Sequence, residues 1–396
     1  MTDRRVHEAL RRLARLESFL EADPDNPTLR AEAFRLAVSC GEWQRAQSHL
    51  ADAQRKSPGD PAWALREVDL LLARKHFDEA RTVLRRLGAL AEPGSALEDA
   101  IEHDLAAADF GEGDFLAASA RLRPIVAGNP RRAAASLRTQ LLWVRALHRA
   151  GMAQRACEWV RGLENTDALN NDVAGVAALA AIDCGDLDSA ERWAELGVCT
   201  EEPCIEAWVA QSTVALARRD AAAAIAFADR ALALNGREGR AWSARGFAAL
   251  LAGTPEAAAA DFERAVALMP MHVGTWHGHG WSRLLLQSPE AAQASFERAL
   301  SLDRGFAETH GALAVVCAVR GLAVAAGEHI ERAERLDRNC LASRYARAIL
   351  AGEASDAAVL QALAQRLLSQ RPAPLGGRMS DWLPGGSGTP GAAPPA

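Results

Sequence analysis

The sequence is short of several residue types, and each shortage argues against a class of protein. Lysine occurs only at Lys56 and Lys75, and the formal net charge is −6. The chain therefore has no general electrostatic attraction for nucleic acid or anionic lipid. The seven cysteines form no Cys-x-x-Cys pair, which disfavours a disulfide framework and a zinc finger. Since arginine carries almost all the positive charge, the composition is typical of a GC-rich bacterial source.

Long apolar segments and catalytic motifs are also lacking. No window approaches about 18 uninterrupted strongly apolar residues, and the charged N-terminus has no apolar signal core, so we expect a cytoplasmic protein without membrane insertion. No Gly-x-Ser-x-Gly elbow, His-Glu-x-x-His motif or phosphate-binding glycine loop occurs. The sequence therefore predicts no catalytic residue, no cofactor and no metal. No spacing pairs two carboxylates in an apolar cleft, so acidic residues are expected on solvated helix faces.

One histidine-rich segment needs separate consideration. His277 and His279 stand two residues apart, so on a helix they point about 200° away from each other and cannot reach one ion. A metal site, as in a metal-dependent hydrolase, would need His272 or His310 to join them. We favour a structural interpretation, in which His279 is a core residue and His277 lies on a groove face.

Small apolar residues are abundant. Hydrophobic residues make up 49% of the chain but aromatic residues only 5%, and much of the difference is alanine. Alanine is the best helix former, whereas strands favour β-branched and aromatic residues. The composition therefore predicts an all-α fold of closely packed helices.

An internal repeat organises these helices. Four residues follow one another at intervals of 34: Trp208, Trp242, Trp276 and His310. Small residues recur four positions later, at Ser212, Gly246, Gly280 and Ala314. Sixteen positions after the first set come the alanines Ala224, Ala258, Ala292 and Ala326. In two units a phenylalanine follows four residues after the alanine, at Phe262 and Phe296. The spacing predicts two short amphipathic helices per unit, A and B, which bury their apolar faces only when units stack.

These columns resemble the tetratricopeptide repeat family. The best unit consists of Trp242, Arg245, Gly246, Ala249, Ala258, Phe262, Ala265 and Pro270. It departs from the family pattern at Arg245 and Ala249, where Leu and Tyr are preferred. The resemblance implies a right-handed superhelical solenoid that binds other proteins and is not an enzyme.

The repeat also predicts the organisation of the chain. The helix-B alanine recurs towards the N-terminus at Ala190, Ala156, Ala118, Ala80 and Ala46, which gives about nine units. Two intervals are four residues longer, and turns at 92–95 and 128–131 are expected to take up the excess. We expect an N-terminal capping helix in 1–27, the array in 28–338 with its best repeats in 205–338, capping helices in 339–371 and a disordered tail in 372–396.

The resemblance further implies a concave groove lined by helices A. Its implied lining is chiefly apolar: Val209, Arg240, Phe247, Leu250, His277, Trp281, Leu284, Leu285 and Val315. The Lys and Asn of the family's carboxylate clamp are absent, so the expected ligand is an apolar or amphipathic protein segment anchored by Phe247 and Trp281. Alternatively, closure of the superhelix or the chain's own C-terminal helix buries part of this lining. Groove positions in the N-terminal half are more charged: Glu32, Arg35, Arg66, Asp69, Arg138, Arg145, Arg149 and Asp183.

These patterns lead to three hypotheses for function. The first is a non-catalytic scaffold, adaptor or assembly chaperone with protein partners. The second is a cytoplasmic regulator that sequesters a transcription or secretion factor, and the third is the metal-dependent hydrolase. Within the tail, a short motif of Met379, Trp382 and Leu383 could dock on a partner, act as an autoinhibitor or be inert.

Overall fold

The computed structural model describes residues 3–127 and 135–352. Within these residues the chain is built from α-helices alone, which confirms the all-α prediction. Twenty helices follow one another: α1 (Asp3–Ala22), α2 (Pro27–Cys40), α3 (Trp43–Lys56), α4 (Pro61–Ala73), α5 (Phe77–Gly88), α6 (Ala96–Glu112), α7 (Phe115–Val126), α8 (Leu137–Arg149), α9 (Ala153–Glu164), α10 (Asn171–Asp183), α11 (Leu187–Val198), α12 (Ile205–Ala217), α13 (Ala221–Leu234), α14 (Gly239–Leu251), α15 (Pro255–Leu268), α16 (Val273–Leu285), α17 (Pro289–Leu302), α18 (Ala307–Val319), α19 (Ala323–Leu336) and α20 (Leu341–Leu350).

Some predictions concern segments outside the described residues. These are the turn at 128–131, the part of the C-terminal capping region beyond residue 352, and the tail with Met379, Trp382 and Leu383. Of the helices expected in 339–371, the structure describes α20.

The turns between helices follow local chemistry. Gly113 has a φ of 91°, in the left-handed region where glycine is free of side-chain strain. Asp114 then accepts a hydrogen bond from the backbone N–H of Ala117 at 2.9 Å and caps α7. The turn before α5 lacks such a cap, because the side chain of His76, which precedes the helix, makes no capping hydrogen bond, and Asp78 lies inside the first turn.

The helices form two compact units, which we call unit 1 (Met1–Ala207) and unit 2 (Trp208–Ala396). From α1 to α11 and from α13 to α20, each helix packs against the next one in the chain. Alternate helices also pack together, α4 with α6 and α8 with α10 in unit 1, and α14 with α16 and α18 with α20 in unit 2. Packing between sequence neighbours is typical of stacked repeats.

Glycines on helices A create the closest helix joints of unit 2. Phe262 of α15 is fully buried, and its ring lies against both Gly246 of α14 and Gly278 of α16. A Cβ atom at Gly278 would stand only 2.3 Å from the ring, and one at Gly246 would stand 3.0 Å from it. Phe296 of α17 lies equally close to Gly280. These joints therefore close around a large ring because the facing helix has no side chain there.

The other repeat columns fill the space between helices. The helix-B alanines are fully buried: Ala224, Ala258, Ala292 and Ala326. Trp208 and Trp242 are buried, whereas Trp276 is half-buried. The indole N–H of Trp242 donates to the carbonyl of Gly236 at 2.9 Å, so the ring also fixes the loop that leads into its own helix.

Arg245 occupies the column where the family prefers Leu. Its guanidinium donates to both carboxylate oxygens of buried Asp261, at 2.9 and 2.6 Å, and to Asp229 at 2.6 Å. It also lies 4.4 Å from the ring centroid of Trp242. These carboxylates raise the pKa of Arg245, so the side chain stays charged inside the repeat. An ion pair stacked on the tryptophan thus replaces an apolar contact.

Candidate functional site

The first candidate surface is a set of partly exposed apolar side chains in unit 2, which we call the apolar stripe. It consists of Phe247 and Leu250 on α14, and of Trp281, Leu284 and Leu285 on α16. Phe247 is 38% exposed and Leu285 61% exposed, while the other three are half-buried. Phe247 and Trp281 are separated by one repeat, so they occupy equivalent positions on two helices that pack together.

Both aromatic rings of the apolar stripe are held by buried rings beneath them. Phe247 meets Phe262 edge-on, with ring centroids 4.9 Å apart. Trp281 meets Phe296 in the same manner at 5.5 Å. Since Phe262 and Phe296 are fully buried, they limit the rotamers of the exposed rings. The apolar stripe therefore presents two aromatic side chains that need little ordering on binding.

Three residues of the implied groove lining are not surface residues, so the prediction is wrong for them. Val209 is buried, and Val315 is 0% exposed because it belongs to the core cluster that includes Ala346 of α20. His277 is also buried, and its Nε2 lies 2.7 Å from the hydroxyl of Thr309. Burial lowers the pKa of His277 to about 4, so its ring is neutral at physiological pH. Arg240, also expected in the lining, is half-buried.

The histidines do not converge on one point. His272 accepts a hydrogen bond from the backbone N–H of Thr275 and caps α16. His279, expected in the core, is half-buried, and its Nδ1 lies 3.1 Å from the hydroxyl of Ser295. His310 instead faces His329, with 3.3 Å between their Nδ1 atoms. In the part of the chain that the structure describes, no group of three or more His, Cys, Asp or Glu residues is arranged to hold a metal ion.

The second candidate surface is a cavity of about 1190 Å³ in unit 1, which we call the inner cavity. Its walls come chiefly from helices A, namely α2, α4, α6 and α8. Five of the charged residues expected at N-terminal groove positions line it: Glu32, Arg35, Arg66, Asp69 and Arg138. Asp99, His103 and Asp104 of α6 also line it, and they were not singled out from the sequence.

The remaining charged groove residues of the N-terminal half have partners of their own. Arg145 donates to Glu206 at 2.6 Å. Arg149 lies over the ring of Phe115, 5.0 Å from its centroid. Asp183 lies 2.6 Å from the imidazole of His148. These three residues are not part of the cavity wall, and their contacts suit a role in joining helices.

The carboxyl groups of the inner cavity have perturbed acidity. Burial raises the pKa of Asp104 to about 7, and the negative charge of Asp69 acts in the same direction, while Arg138 opposes it. Burial also raises the pKa of Asp69. His103 next to Asp104 in sequence has a pKa lowered to about 4, again chiefly by burial, so it supplies no positive charge.

A sequence signal for these carboxyl groups did exist. Phe34, Asp69, Asp104 and Thr139 follow one another at intervals of 35 residues, and all four line the inner cavity. They lie on four successive helices A, and Asp69 and Asp104 are each the ninth residue of their helix. The expectation that acidic residues lie on solvated faces is therefore wrong for Asp104, which is buried.

Comparison with known proteins agrees with the repeat geometry. Residues 2–67 and 41–101 match the family model of the tetratricopeptide repeat. Among solved structures, MamA residues 41 to end from Desulfovibrio magneticus RS-1 shares 18% identity over 43% of this chain and 96% of its own, with a TM-score of 0.38. YrrB, described as a TPR protein with an unusual peptide-binding site, shares 16% identity over 47% and 96%, also with a TM-score of 0.38. No functional conclusion rests on either likeness.

No curated protein matches the chain significantly. None of the described helices combines the length and apolar character needed to cross a membrane. The family match covers the first repeats, and the 34-residue helix pairs with buried Trp, Ala and Phe columns extend the same pattern through unit 2. The match therefore identifies residues 2–101 as tetratricopeptide repeats.

Proposed function

We propose that this protein is a non-catalytic interaction scaffold that binds an apolar or amphipathic segment of a partner protein on the apolar stripe. Tetratricopeptide repeats form a protein-interaction fold, and the family match therefore supports a protein ligand. The observation that carries the finer proposal is the pair of half-exposed aromatic rings, Phe247 and Trp281, each fixed against a fully buried phenylalanine.

The chemistry of the apolar stripe indicates what it would bind. Exposed Leu285 and the two aromatic rings offer apolar contact without a charged side chain among them. An amphipathic helix can place apolar residues at steps of three and four along such a surface. Aromatic side chains in a preorganised apolar site contribute a large share of interface energy, typically about 2 kcal/mol or more each.

The test is capture of partners from the native host by the wild-type chain and by the double variant Phe247→Ala/Trp281→Ala. A matched control is Met271→Ala/Val324→Ala, which truncates two exposed apolar side chains outside the apolar stripe. Proteins should be quantified by mass spectrometry, and circular dichroism should show equal helicity for all three chains. We expect the double variant to lose partners that the wild type and the control retain.

Equal retention of the same partners by the folded double variant would refute the proposal. Binding of a purified partner should then be measured by titration, where we expect a loss of about a thousandfold for the double variant, since two anchors of about 2 kcal/mol each are removed. The identity of that partner distinguishes an adaptor or assembly chaperone from a regulator that sequesters a transcription or secretion factor.

A further inference from the structure

The inner cavity of unit 1 contains a buried carboxyl group to which none of the described residues donates a hydrogen bond. Three acidic residues of the described chain are buried: Asp104, Asp109 and Asp261. Asp109 accepts hydrogen bonds from Arg81 at 2.8 Å and Arg121 at 3.1 Å, and Asp261 is held by an arginine as described above. Asp104 is 6% exposed and lines the cavity, yet within the described residues no group donates a hydrogen bond to it. Burying a carboxylate without a donor is unfavourable, so this site is incomplete.

Among the described residues, the surroundings of Asp104 supply a second carboxyl group and little fixed positive charge. Asp69 on α4 is close enough for its charge to raise the pKa of Asp104. The cation that acts on both is Arg138, which is 75% exposed and lies 3.8 Å from Asp69. The other titratable groups on the cavity walls next to α6 are Arg66 of α4, and Asp99 and His103 of α6 itself. α7 contributes only Ile125 to the wall.

Space is available for a side chain from outside. The cavity measures about 1190 Å³, and small residues from successive helices form much of its wall, among them Ala31, Ala62 and Ala100. An extended or helical segment of several residues fits a space of this size. Its apolar carbons would contact the alanines, and a donor at its end could reach the carboxyl groups.

We propose that the inner cavity binds a Lys or Arg side chain of a partner protein, with the carboxyl groups of Asp104 and Asp69 as acceptors for its cationic head. A cation with several N–H donors suits this site, since it supplies the missing hydrogen bonds and reduces the repulsion between two adjacent acids. The proposal concerns unit 1 alone and does not depend on the apolar stripe. Its failure would leave the proposed function of unit 2 unaffected.

This site has a characteristic pH dependence. In the free protein the pKa of Asp104 is about 7, and a bound cation would lower it, so binding releases a proton near neutral pH. Affinity should therefore rise about tenfold from pH 6 to pH 8 and level off above that, because the ionised fraction of Asp104 changes by that factor. His103 remains neutral in this range, because its pKa is about 4.

The experiment uses the full chain and two acetylated, amidated alanine-rich peptides that differ only in a central Lys or norleucine. Dissociation constants are measured at pH 6 and pH 8, and the pKa of Asp104 is followed by carbon NMR of labelled aspartate with and without each peptide. We expect the Lys peptide to bind about tenfold more tightly than the norleucine peptide at pH 8. We also expect the Lys peptide, and not the other, to lower the pKa of Asp104.

Two variants complete the test. Asp104→Asn should abolish the preference for Lys, while Asp78→Asn, an exposed acid on α5 outside the cavity, should keep it. Equal affinity of the two peptides for the wild type, a preference that survives in Asp104→Asn, or an unchanged pKa of Asp104 would each overturn the proposal. Lys-dependent binding that appears only after removal of residues 371–396 would indicate that Arg371 or Arg378 of the same chain occupies the cavity. This result would overturn the assignment to a partner.

Discussion

Replacing Gly278 by alanine tests the packing that joins successive repeats. The added Cβ would stand 2.3 Å from the ring of Phe262, so this separation must widen by more than about 1 Å to reach an ordinary carbon contact. Phe262 is fully buried and also touches Gly246, which leaves the ring little room to retreat. Overpacking typically costs about 1–3 kcal/mol, while alanine in a helix gains about 0.5–1 kcal/mol over glycine. We expect a net destabilisation of about 1–2 kcal/mol.

Gly327 provides the matched control for this substitution. It lies inside helix α19 of the same unit, and an added Cβ would meet nothing within 4 Å. Gly327→Ala should therefore stabilise the chain by about 0.5–1 kcal/mol through helix propensity alone. Urea titrations followed by circular dichroism at 222 nm give both changes. The packing argument is refuted if Gly278→Ala raises the unfolding midpoint as Gly327→Ala does.

Three further substitutions test other parts of the structure. Arg245→Leu introduces the residue preferred by the family, but it should destabilise the chain by about 3 kcal/mol, because buried Asp261 loses its counter-ion. An unchanged stability in urea would contradict this expectation. Ala258→Leu should lower the free energy of unfolding by about 1–3 kcal/mol, because it overpacks a fully buried position. A melting temperature equal to that of the wild type would show that Ala258 does not lie in a close helix joint. The pKa of Asp104 is about 7 in the folded state and about 3.9 in the unfolded state, so the wild type loses stability as the pH rises between these values. Asp104→Asn lacks this titration. Its stability relative to the wild type should therefore increase by about 2–3 kcal/mol from pH 5 to pH 8. A pH-independent difference between these two chains would show that Asp104 titrates normally.

The fold could be predicted from the sequence because each repeated residue type reflects one packing contact within its repeat. A glycine four residues after Trp242 predicts a close helix approach, and the structure places the ring of Phe262 against that glycine. Such contacts span a single repeat, so a 34-residue period is enough to predict them. Arg245 shows the limit of this approach, since its partners Asp229 and Asp261 fall outside the family's columns.

The surface was harder to predict, because exposure depends on the next helix along the array. Val315 and Phe247 occupy equivalent positions of their repeats, yet one belongs to a core cluster shared with α20 and the other is partly exposed. The sequence of a single repeat does not indicate which of its side chains a neighbouring helix will cover. The family pattern therefore predicts which residues face the inside of an array, but not which of them remain open to a ligand.

Asp104 shows how a candidate binding residue can escape a search for motifs. Catalytic and metal motifs place their residues within a few positions of each other, whereas Asp69 and Asp104 are brought to one cavity by a 35-residue step between helices α4 and α6. The acidity of Asp104 then depends on burial and on the charges of Asp69 and Arg138, which lie on other helices and which no local window contains. In a repeat array the informative comparison is therefore down a column. Two carboxyl groups at matching positions of successive helices A, as with Asp69 and Asp104, predict a site that a cationic ligand can complete.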